Sequence, residues 1–345
     1  MTKLLRITSL LVCVALLPVA FIGCRGGSND VPKKGTPKVT IGIQVSPAMA
    51  LVMVAKDKGF FEQQGVDVEI KEFTAGKFAL QAFLSGGIDF AVSGEVPAGL
   101  ATLQGNDIRV VAQVVERTVN EVRVVALKDG DLNDPSSYFK AKRRKIATSF
   151  GGGPEFFTYN FLNEHDIADD VEILSQKPAD MPAALESESL DAIAIFDPFA
   201  FVAEKRLADK VITFADEDLY SELYVLDALP QQIEDNPEVI QAIVTALVKA
   251  GDYIAQNPEE AKAITLKYTK LEPDVLDGIW GNFVFKPALT AQLVEYWEAQ
   301  AQWAIDTDKV NANTPFPDYR SIIDDRFLMK SKPDAVQLPV LEAVQ

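Results

Sequence analysis

The stretch of this sequence best suited to hold a small molecule is a glycine-rich turn, Ser149 to Pro154. An apolar, strand-like segment precedes the turn, and a helix-like pattern follows it from Glu155. Glycine lets the backbone turn and brings its N–H groups within reach of a ligand, and proline is favoured in the first turn of a helix. The free N–H groups at the start of that helix would attract an anionic group. An isolated run of this kind is more often a tight turn without a ligand, so the rest of the chain has to decide.

Patterns that indicate catalysis or metal binding are absent from the sequence. The single histidine, His165, lies in a polar segment without a serine or cysteine motif around it. There is no GxxxxGK phosphate loop, and acidic pairs such as Asp169-Asp170 have the setting of helix ends rather than of metal ligands. We therefore expect a binding protein with no catalytic residue, no cofactor and no metal.

The chain is strongly acidic. Its 345 residues include 33 Lys and Arg and 50 Asp and Glu, which gives a formal net charge of -17. A surface of this sign argues against binding to nucleic acid and against broad contact with anionic lipid. Any site for an anion must be built locally, because the field of the whole protein repels such a ligand.

The N-terminal segment has the features of an export signal rather than of the folded protein. Lys3 and Arg6 precede an apolar run over residues 7–21, which is too short for a membrane-spanning helix. We expect a signal peptide over residues 1–23 and an exported protein.

The end of this signal indicates a lipid anchor. Gly23-Cys24 resembles the end of the lipobox of bacterial lipoproteins, in which the cysteine is lipidated and becomes the new N-terminus. We expect a lipid on Cys24 and a flexible tether over 24–36, with an ordinary secretory signal as the alternative. Cys13 lies inside the signal, so no disulfide is expected.

Beyond the tether, apolar periodicity predicts strands and helices in alternation. The predicted strands cover 38–45, 66–73, 88–92, 108–114, 122–127, 146–148, 171–174, 191–195, 211–214 and 222–226. The predicted helices cover 48–58, 78–85, 98–104, 155–163, 181–187, 238–256, 259–270, 273–283, 289–306 and 319–327, and a further helix start is predicted at 134–138. The basic run 140–145 is expected to be a solvated loop, with a contact to a partner as the alternative. The alternation favours a doubly wound α/β fold whose ligands bind beyond the carboxyl ends of the strands, which makes loops 44–47, 74–78 and 93–97 site candidates.

The order of these features is similar to that of a known family. The segments that carry the similarity are, in chain order, AKDKGFFE at 55–62, AFLSGGIDF at 82–90, SGEVPA at 93–98, LDAIAIFDPF at 190–199, and Asn-Pro-Glu at 236–238 and 257–259. Through them the chain resembles the type II periplasmic-binding-protein superfamily. Within it, the resemblance is to the solute-binding lipoproteins of nitrate, sulfonate and taurine ABC importers, close to the NMT1/THI5-like group.

The resemblance implies two α/β lobes with a cleft between them and a helical C-terminal part. Lobe I would comprise 37–122 plus 226–330, lobe II would comprise 123–225, and a tail would cover 331–345. Such a protein captures a small organic solute as a monomer and delivers it to the permease subunits of an ABC importer. The alternative is an envelope sensor that uses the same fold to present a ligand to a receptor. Pyrimidine synthases of the THI5 type share the fold but need cysteine and histidine residues that this chain does not supply.

Mapped by position, the resemblance implies ten ligand contacts. They are Gln44, Ser46, Thr74, Glu95, Ser149, Gly151, Gly152, Phe196, Asp197 and Glu222. Asp197 has a second interpretation, because its side chain could cap the turn that follows it. Glu95, at the carboxyl end of a strand, is expected to face the cleft.

The class of ligand does not follow from the resemblance. Phe196 stands where the family often has tryptophan, and Phe150 and the glycines replace small polar residues at the turn. Glu155 would complement the start of the helix and weaken the capture of an anion. With acidic and aromatic groups beside one N–H-lined turn, a sulfonate or taurine-like zwitterion or an amine-bearing ring such as an aminopyrimidine fits at least as well as nitrate.

Overall fold

The computed structural model describes residues 35–117, 121–216 and 219–338. The predicted signal peptide, Cys24 and nearly all of the predicted tether lie outside these ranges. Within them, no helix combines the length and the apolar character that a membrane crossing needs.

The strands of the described chain form two large sheets and one small one. Their bounds are β1 Lys38–Gln44, β2 Asp67–Phe73, β3 Phe90–Gly94, β4 Arg109–Arg117, β5 Val122–Leu127, β6 Arg144–Thr148, β7 Val171–Ser175, β8 Ala192–Phe196, β9 Val211–Phe214, β10 Leu223–Ala228, β11 Phe283–Val284, β12 Leu289–Thr290 and β13 Val336–Gln337. The first sheet has the order β11-β4-β10-β3-β1-β2, the second has the order β7-β6-β8-β5-β9, and β12 pairs with β13. All ten predicted strands are present, and the strands not predicted are two-residue pairings.

Each large sheet combines a parallel part with one antiparallel strand in its interior. In the first sheet β1 is parallel to both β2 and β3, and β10 runs antiparallel between β3 and β4. In the second sheet β6 is parallel to β7 and β8, and β5 runs antiparallel between β8 and β9. Because parallel strands end at the same edge, the carboxyl ends of β1 and β3 lie together, and so do those of β6 and β8.

Most helices lie in the predicted segments, but their first and last residues differ from the predicted ones. Their bounds are α1 Ala50–Asp57, α2 Phe60–Gln63, α3 Gly76–Leu84, α4 Glu95–Leu103, α5 Pro135–Lys140, α6 Gly153–Glu164, α7 Met181–Glu186, α8 Phe199–Leu207, α9 Pro230–Asp235, α10 Pro237–Gln256, α11 Pro258–Thr269, α12 Pro273–Ile279, α13 Ala291–Asp306 and α14 Arg326–Ser331. Several of them begin at a proline, which fits the first helical position because its missing N–H would have no intrahelical partner there. The short helices α2, α8 and α9 were not predicted.

The single helix predicted over 319–327 is wrong. A short 3-10 turn, Tyr319–Ile322, is followed by extended backbone. Ile323 there forms an isolated β-bridge with Val110 of β4, and the N–H of Asp324 donates to the carbonyl of Val110 at 2.9 Å. Pairing with the edge of the first sheet therefore interrupts the helical pattern, and α14 begins only after it.

The basic run 140–145 is not simply a solvated loop, because Arg144 belongs to β6 and is only 1% exposed. Its guanidinium lies 3.7 Å from the centre of the Tyr138 ring. Its Nε donates to the carbonyl of Tyr138 at 2.7 Å, and its Nη2 donates to Asp129 at 2.8 Å. A planar cation that is stacked and hydrogen-bonded in this way can be buried at low cost.

Helix α13 connects the two hydrophobic cores. Trp297, near its middle, belongs to the core of the first sheet, and Trp303, one and a half turns later, belongs to the core of the second sheet. The indole of Trp297 packs on Gly99 of α4, where an added Cβ would lie 2.3 Å from the ring. Its Nε1 donates to the carbonyl of Glu95 at 2.9 Å, which fixes the start of α4 against α13.

One ionisable group lies deep in the first sheet. Asp227 of β10 is fully buried, and its Oδ2 accepts a hydrogen bond from the Ser93 hydroxyl at 2.6 Å. Its Oδ1 has no hydrogen-bond partner among the described residues. Burial raises the pKa of Asp227 to about 8, since the charged form would lose its hydration.

The buried carboxyl of Asp227 should make the stability of the protein depend on pH. An unfolded aspartate has a pKa of about 3.9, so between that value and the folded pKa of about 8 the folded protein holds the extra proton. The free energy of unfolding then falls as pH rises, by about 1.4 kcal/mol per pH unit from this group. Asp227→Asn should remove this contribution. Its free energy of unfolding, relative to that of the parent, should therefore be higher at pH 7.5 than at pH 5, and urea unfolding at both pH values would measure it. An equal difference at both pH values would contradict the prediction.

Candidate functional site

A small cavity lies where the carboxyl ends of strands from both large sheets meet. Its volume is about 30 Å³. Its lining residues are Gln44, Ala75, Gly76, Lys77, Gly94, Pro97, Ser149, Gly152, Pro154, Phe196, Glu222 and Tyr224. This volume is close to that of a single water molecule, so a larger solute can enter only if the two sheets move apart.

The lining brings together half of the ten predicted contacts. They are Gln44 at the end of β1, Ser149 and Gly152 after β6, Phe196 at the end of β8, and Glu222 before β10. The other five, Ser46, Thr74, Glu95, Gly151 and Asp197, do not line this cavity.

Two hydrogen bonds hold the side chain of Gln44, and the sequence did not indicate either donor. Its Oε1 accepts the N–H of Gly76 at 3.1 Å and the hydroxyl of Tyr224 at 3.2 Å. Glycine at position 76 eases a close approach, because an added Cβ would lie 3.2 Å from the backbone nitrogen of Gly94, which is a tight contact. The start of α3 can thus approach the end of β3 closely.

Three helices begin at the cavity. Gly76 is the first residue of α3, Gly94 is the N-cap of α4, and Gly152 is the N-cap of α6. The positive ends of three helix dipoles therefore point toward one small volume. Such an arrangement favours a negatively charged group on a ligand.

Lys77 adds a side-chain cation to these helix ends, and sequence reasoning missed it. Its Nζ donates to the carbonyl of Phe150 at 2.5 Å, which joins the α3 side of the cavity to the turn after β6. Burial lowers the pKa of Lys77, and the charge of Glu155 opposes that shift. A signal was available, because Lys77 is the one basic residue in the three loops at predicted strand ends.

The glycine turn does not offer all of its N–H groups to a ligand. Gly151 has φ of +77°, a conformation that suits glycine, and its N–H donates to Glu155 Oε2 at 2.6 Å. The other oxygen of Glu155 accepts from Lys309 Nζ at 2.5 Å. The N–H of Gly151 is thus occupied by the protein's own carboxylate, and the expected contact with a solute is not made by this group in this conformation.

A second carboxylate lies against the first residue of α6. An added Cβ at Gly153 would lie 2.7 Å from Glu222 Oε1 and 2.5 Å from the hydroxyl of Tyr220. Glycine at this position therefore lets Glu222 reach the positive end of the helix. The cavity thus contains Lys77 and Glu222, two groups of opposite charge.

The expectation that Glu95 faces the cleft is not met in this conformation. Its side chain is fully buried, and its carboxyl accepts hydrogen bonds from the Tyr220 hydroxyl, from the Leu223 N–H at 3.0 Å and from Gln300 Nε2 at 3.0 Å. Burial, with the nearby charge of Glu222, raises the pKa of Glu95 to about 8. None of these three donors lines the cavity, so the carboxyl of Glu95 connects the start of α4 to β10 and α13.

Asp197 also has its partners within the protein. It is fully buried, and its Oδ1 accepts from the N–H of Phe201 at 3.2 Å, in the first turn of α8. Its other oxygen accepts from Asn282 at 2.8 Å, and Arg123 lies 3.0 Å away as an ion-pair partner. These contacts match the capping interpretation, and they leave Phe196 as the residue of this segment that lines the cavity.

Ser46 and Thr74 complete the predicted set. Ser46 is buried, and its hydroxyl has no hydrogen-bond partner among the described residues. Thr74 is exposed at the end of β2. Within the described ranges no group of three or more His, Cys, Asp or Glu side chains is arranged to hold a metal ion.

Comparison with known proteins gives a consistent result. The family model described as NMT1/THI5 like matches residues 46–261. The periplasmic aliphatic sulphonate binding protein of Escherichia coli has a similar structure, with a TM-score of 0.71 and 21% sequence identity over 83% of this chain and 97% of that one. The periplasmic nitrate-binding protein of Synechocystis PCC 6803 gives a TM-score of 0.70 and 15% identity over 87% and 89%.

A third solved structure is also similar. It is the alkanesulfonate-binding protein of Xanthomonas axonopodis pv. citri bound to MOPS, with a TM-score of 0.68 and 19% identity over 84% of this chain and 98% of that one. These matches confirm the expected α/β fold of type II periplasmic binding proteins. All three of these similar proteins are binding proteins.

Two adjacent glycines provide a matched test of the cavity wall. Gly153→Ala would place a methyl group within 3 Å of Tyr220 and Glu222, whereas at Gly152 the nearest atom to an added Cβ lies 3.8 Å away. We expect Gly153→Ala to lower the free energy of unfolding by about 1–3 kcal/mol, as overpacking does. Thermal denaturation would measure it, with Gly152→Ala as the control that stays near the parent. Equal stability of the two variants would contradict the geometry described for Glu222.

Proposed function

The chain belongs to the NMT1/THI5-like family, and we propose that it is an extracytoplasmic solute-binding protein of an ABC importer. The observation that carries the proposal is the cavity at which the carboxyl ends of β1, β3, β6 and β8 meet. In open α/β sheets, ligands bind at this edge because helix N-termini and loop backbone groups converge there.

The charges of the cavity favour a zwitterionic solute. Lys77 and the start of α3 suit an anionic head such as a sulfonate, and Glu222, which lies at the starts of α4 and α6, suits a protonated amine. A plain anion such as nitrate would gain from Lys77 but would be repelled by Glu222. We therefore propose a taurine-like aminosulfonate, or another small organic solute with one anionic and one basic group. The related protein from Xanthomonas holds MOPS, which carries a sulfonate and a basic nitrogen.

Aromatic contact would come mainly from Phe196. Its ring lies at the cavity and packs beside Phe199, with ring centres 5.8 Å apart. The carbon chain or ring of a solute could pack on such a face, which fixes its orientation between the two charged ends.

Capture of the solute would occur by closure of two lobes. We propose the lobe bounds 37–122 plus 226–330 and 123–225, with the chain crossing between them close to the starts of β5 and β10. The hydrogen bond from Lys77 to the Phe150 carbonyl and the ion pair of Lys309 with Glu155 would be among the contacts that form on closure. The closed protein, as a monomer, would deliver the solute to the permease subunits.

Location at the membrane would depend on Cys24, through a lipid on its side chain. Cys24→Ala should release the protein from the membrane fraction of the cells that express it, because no lipid anchor would then form. Fractionation and immunoblotting would measure this. Retention of Cys24→Ala in the membrane fraction would contradict the anchor while leaving the solute-binding proposal in place.

A panel of small solutes tests the proposed ligand class. Taurine, alkanesulfonates, an aminopyrimidine and nitrate would each be added to the purified protein in a thermal-shift assay. A solute at 100 times its Kd should stabilise the protein by about 2.7 kcal/mol and raise the Tm by about 4 °C. We expect the zwitterionic members to be the strongest, and no stabilisation by any member would contradict the proposal.

Variants of the protein that each lack one charge then show which residue binds which end of the solute. Lys77→Met should weaken binding of a zwitterion or a sulfonate by about 10-fold to 100-fold, the size expected for a lost charged hydrogen bond. Glu222→Gln should weaken the zwitterion but not a sulfonate without an amine. Lys71→Met, at an exposed lysine of β2, is the matched control and should leave calorimetric Kd values unchanged. Unchanged affinity in Lys77→Met would remove Lys77 from the site.

A further inference from the structure

A second and larger cavity lies behind the glycine turn. Its volume is about 180 Å³. It is lined by one face of α6, by β6 and the edge strand β7, and by the C-terminal end of α13. The lining residues are Thr148, Phe150, Glu155, Thr158, Tyr159, Leu162, Asn163, Ala168, Ile173, Trp303 and Thr307. The side chains from α6 recur at the three- and four-residue spacing of one helical face.

Large apolar side chains form much of this lining. Phe150 is 40% exposed and Ile173 is 43% exposed, which is unusual for side chains of this size in the described chain. The ring of Trp303 lies beside that of Tyr159, with centres 6.5 Å apart. A surface of this kind gains free energy when an apolar molecule covers it.

The same cavity is lined by a buried hydroxyl group that lacks a partner. Thr148 is fully buried, and its Oγ1 forms no hydrogen bond with any described residue. Buried hydroxyl groups in folded proteins almost always have a partner. A ligand with one hydrogen-bonding group would supply this partner once the lining side chains that cover the hydroxyl move aside to admit it.

The charge of the lining is already neutralised. Glu155 is the one charged residue that lines the cavity, and it pairs with Lys309 Nζ at 2.5 Å. The same Nζ lies 4.8 Å from the centre of the Trp303 ring. A charged ligand would have no opposite charge left to meet here, whereas a neutral ligand would meet aromatic and aliphatic faces.

We propose that this cavity is a binding site for a small neutral aromatic molecule that carries one hydrogen-bonding group. An engineered protein cavity of about 150 Å³ binds benzene, so a volume of about 180 Å³ suits a single substituted ring. The site is distinct from the solute cleft, although the two share a wall. Ser149 and Gly152 line the cleft, while Thr148 and Phe150 line this cavity.

Phenol and benzene are the probes that test the site. Phenol should bind the full chain with a saturable isotherm and a Kd of about 1 mM or lower in titration followed by ligand-observed NMR. Ala168→Phe, at an exposed position of the lining, should abolish this binding by filling the cavity. Ala263→Phe, at an exposed position of α11, is the matched control and should bind phenol like the parent.

The hydroxyl of Thr148 provides the second test. Thr148→Val keeps the shape of the side chain, so it should weaken phenol by about threefold to tenfold and leave benzene unchanged. No saturable phenol binding, or binding that survives Ala168→Phe, would overturn the proposal. Equal loss for phenol and benzene in Thr148→Val would remove the hydroxyl from the site and overturn its stated chemistry. Glu222→Gln should bind phenol normally, which separates this result from the outcome for the solute cleft, because Glu222 does not line this cavity.

Discussion

The buried carboxyl of Glu95 is the interaction on which the arrangement of the site depends. It receives hydrogen bonds from Tyr220, from the N–H of Leu223 and from Gln300, and the carbonyl of the same residue receives one from Trp297. These donors come from the segment before β10, from the start of β10 and from α13. A carboxyl group removed from water is costly unless donors surround it or a proton neutralises it, and here both conditions contribute. The start of α4 is thereby fixed to the elements that pass behind the cleft.

The same network sets the charge of the cleft. Glu222 follows Tyr220 by two residues and lies against Gly153, and its charge raises the pKa of Glu95 together with burial. A pKa of about 8 means that Glu95 holds a proton more readily than an ordinary glutamate does, which lowers the repulsion between the two nearby carboxyl groups. The cleft then presents Lys77 and the start of α3, together with Glu222, which lies at the starts of α4 and α6. The electrostatic basis of the proposed zwitterion is therefore a property of the whole junction rather than of one motif.

Most of the secondary structure could be predicted from local patterns in the sequence. Alternation of apolar residues predicted ten strands, and all ten exist, because strand periodicity depends on neighbours along the chain. The errors occurred where distant contacts decide local structure. Arg144 joins a strand because the Tyr138 ring and Asp129 receive its guanidinium, and the helix predicted over 319–327 is interrupted because Ile323 pairs with Val110. Neither partner can be identified from sequence spacing.

For the site, the sequence located the loops, and the tertiary structure decided which side chains face the cavity. Strand ends can be predicted from periodicity, so the loop that begins at Gln44 was found in this way, whereas Phe196 was found through the family resemblance. Glu95 and Asp197 occupy equally suitable positions along the chain, yet neither lines the cavity. Glu95 accepts hydrogen bonds from α13 and β10, and Asp197 accepts one from Asn282, just after α12. Lys77 lines the cavity instead, because α3 packs its first residue against β3. Secondary structure follows from the order of residues, whereas the direction and charge of a site side chain follow from partners that only the folded chain brings near.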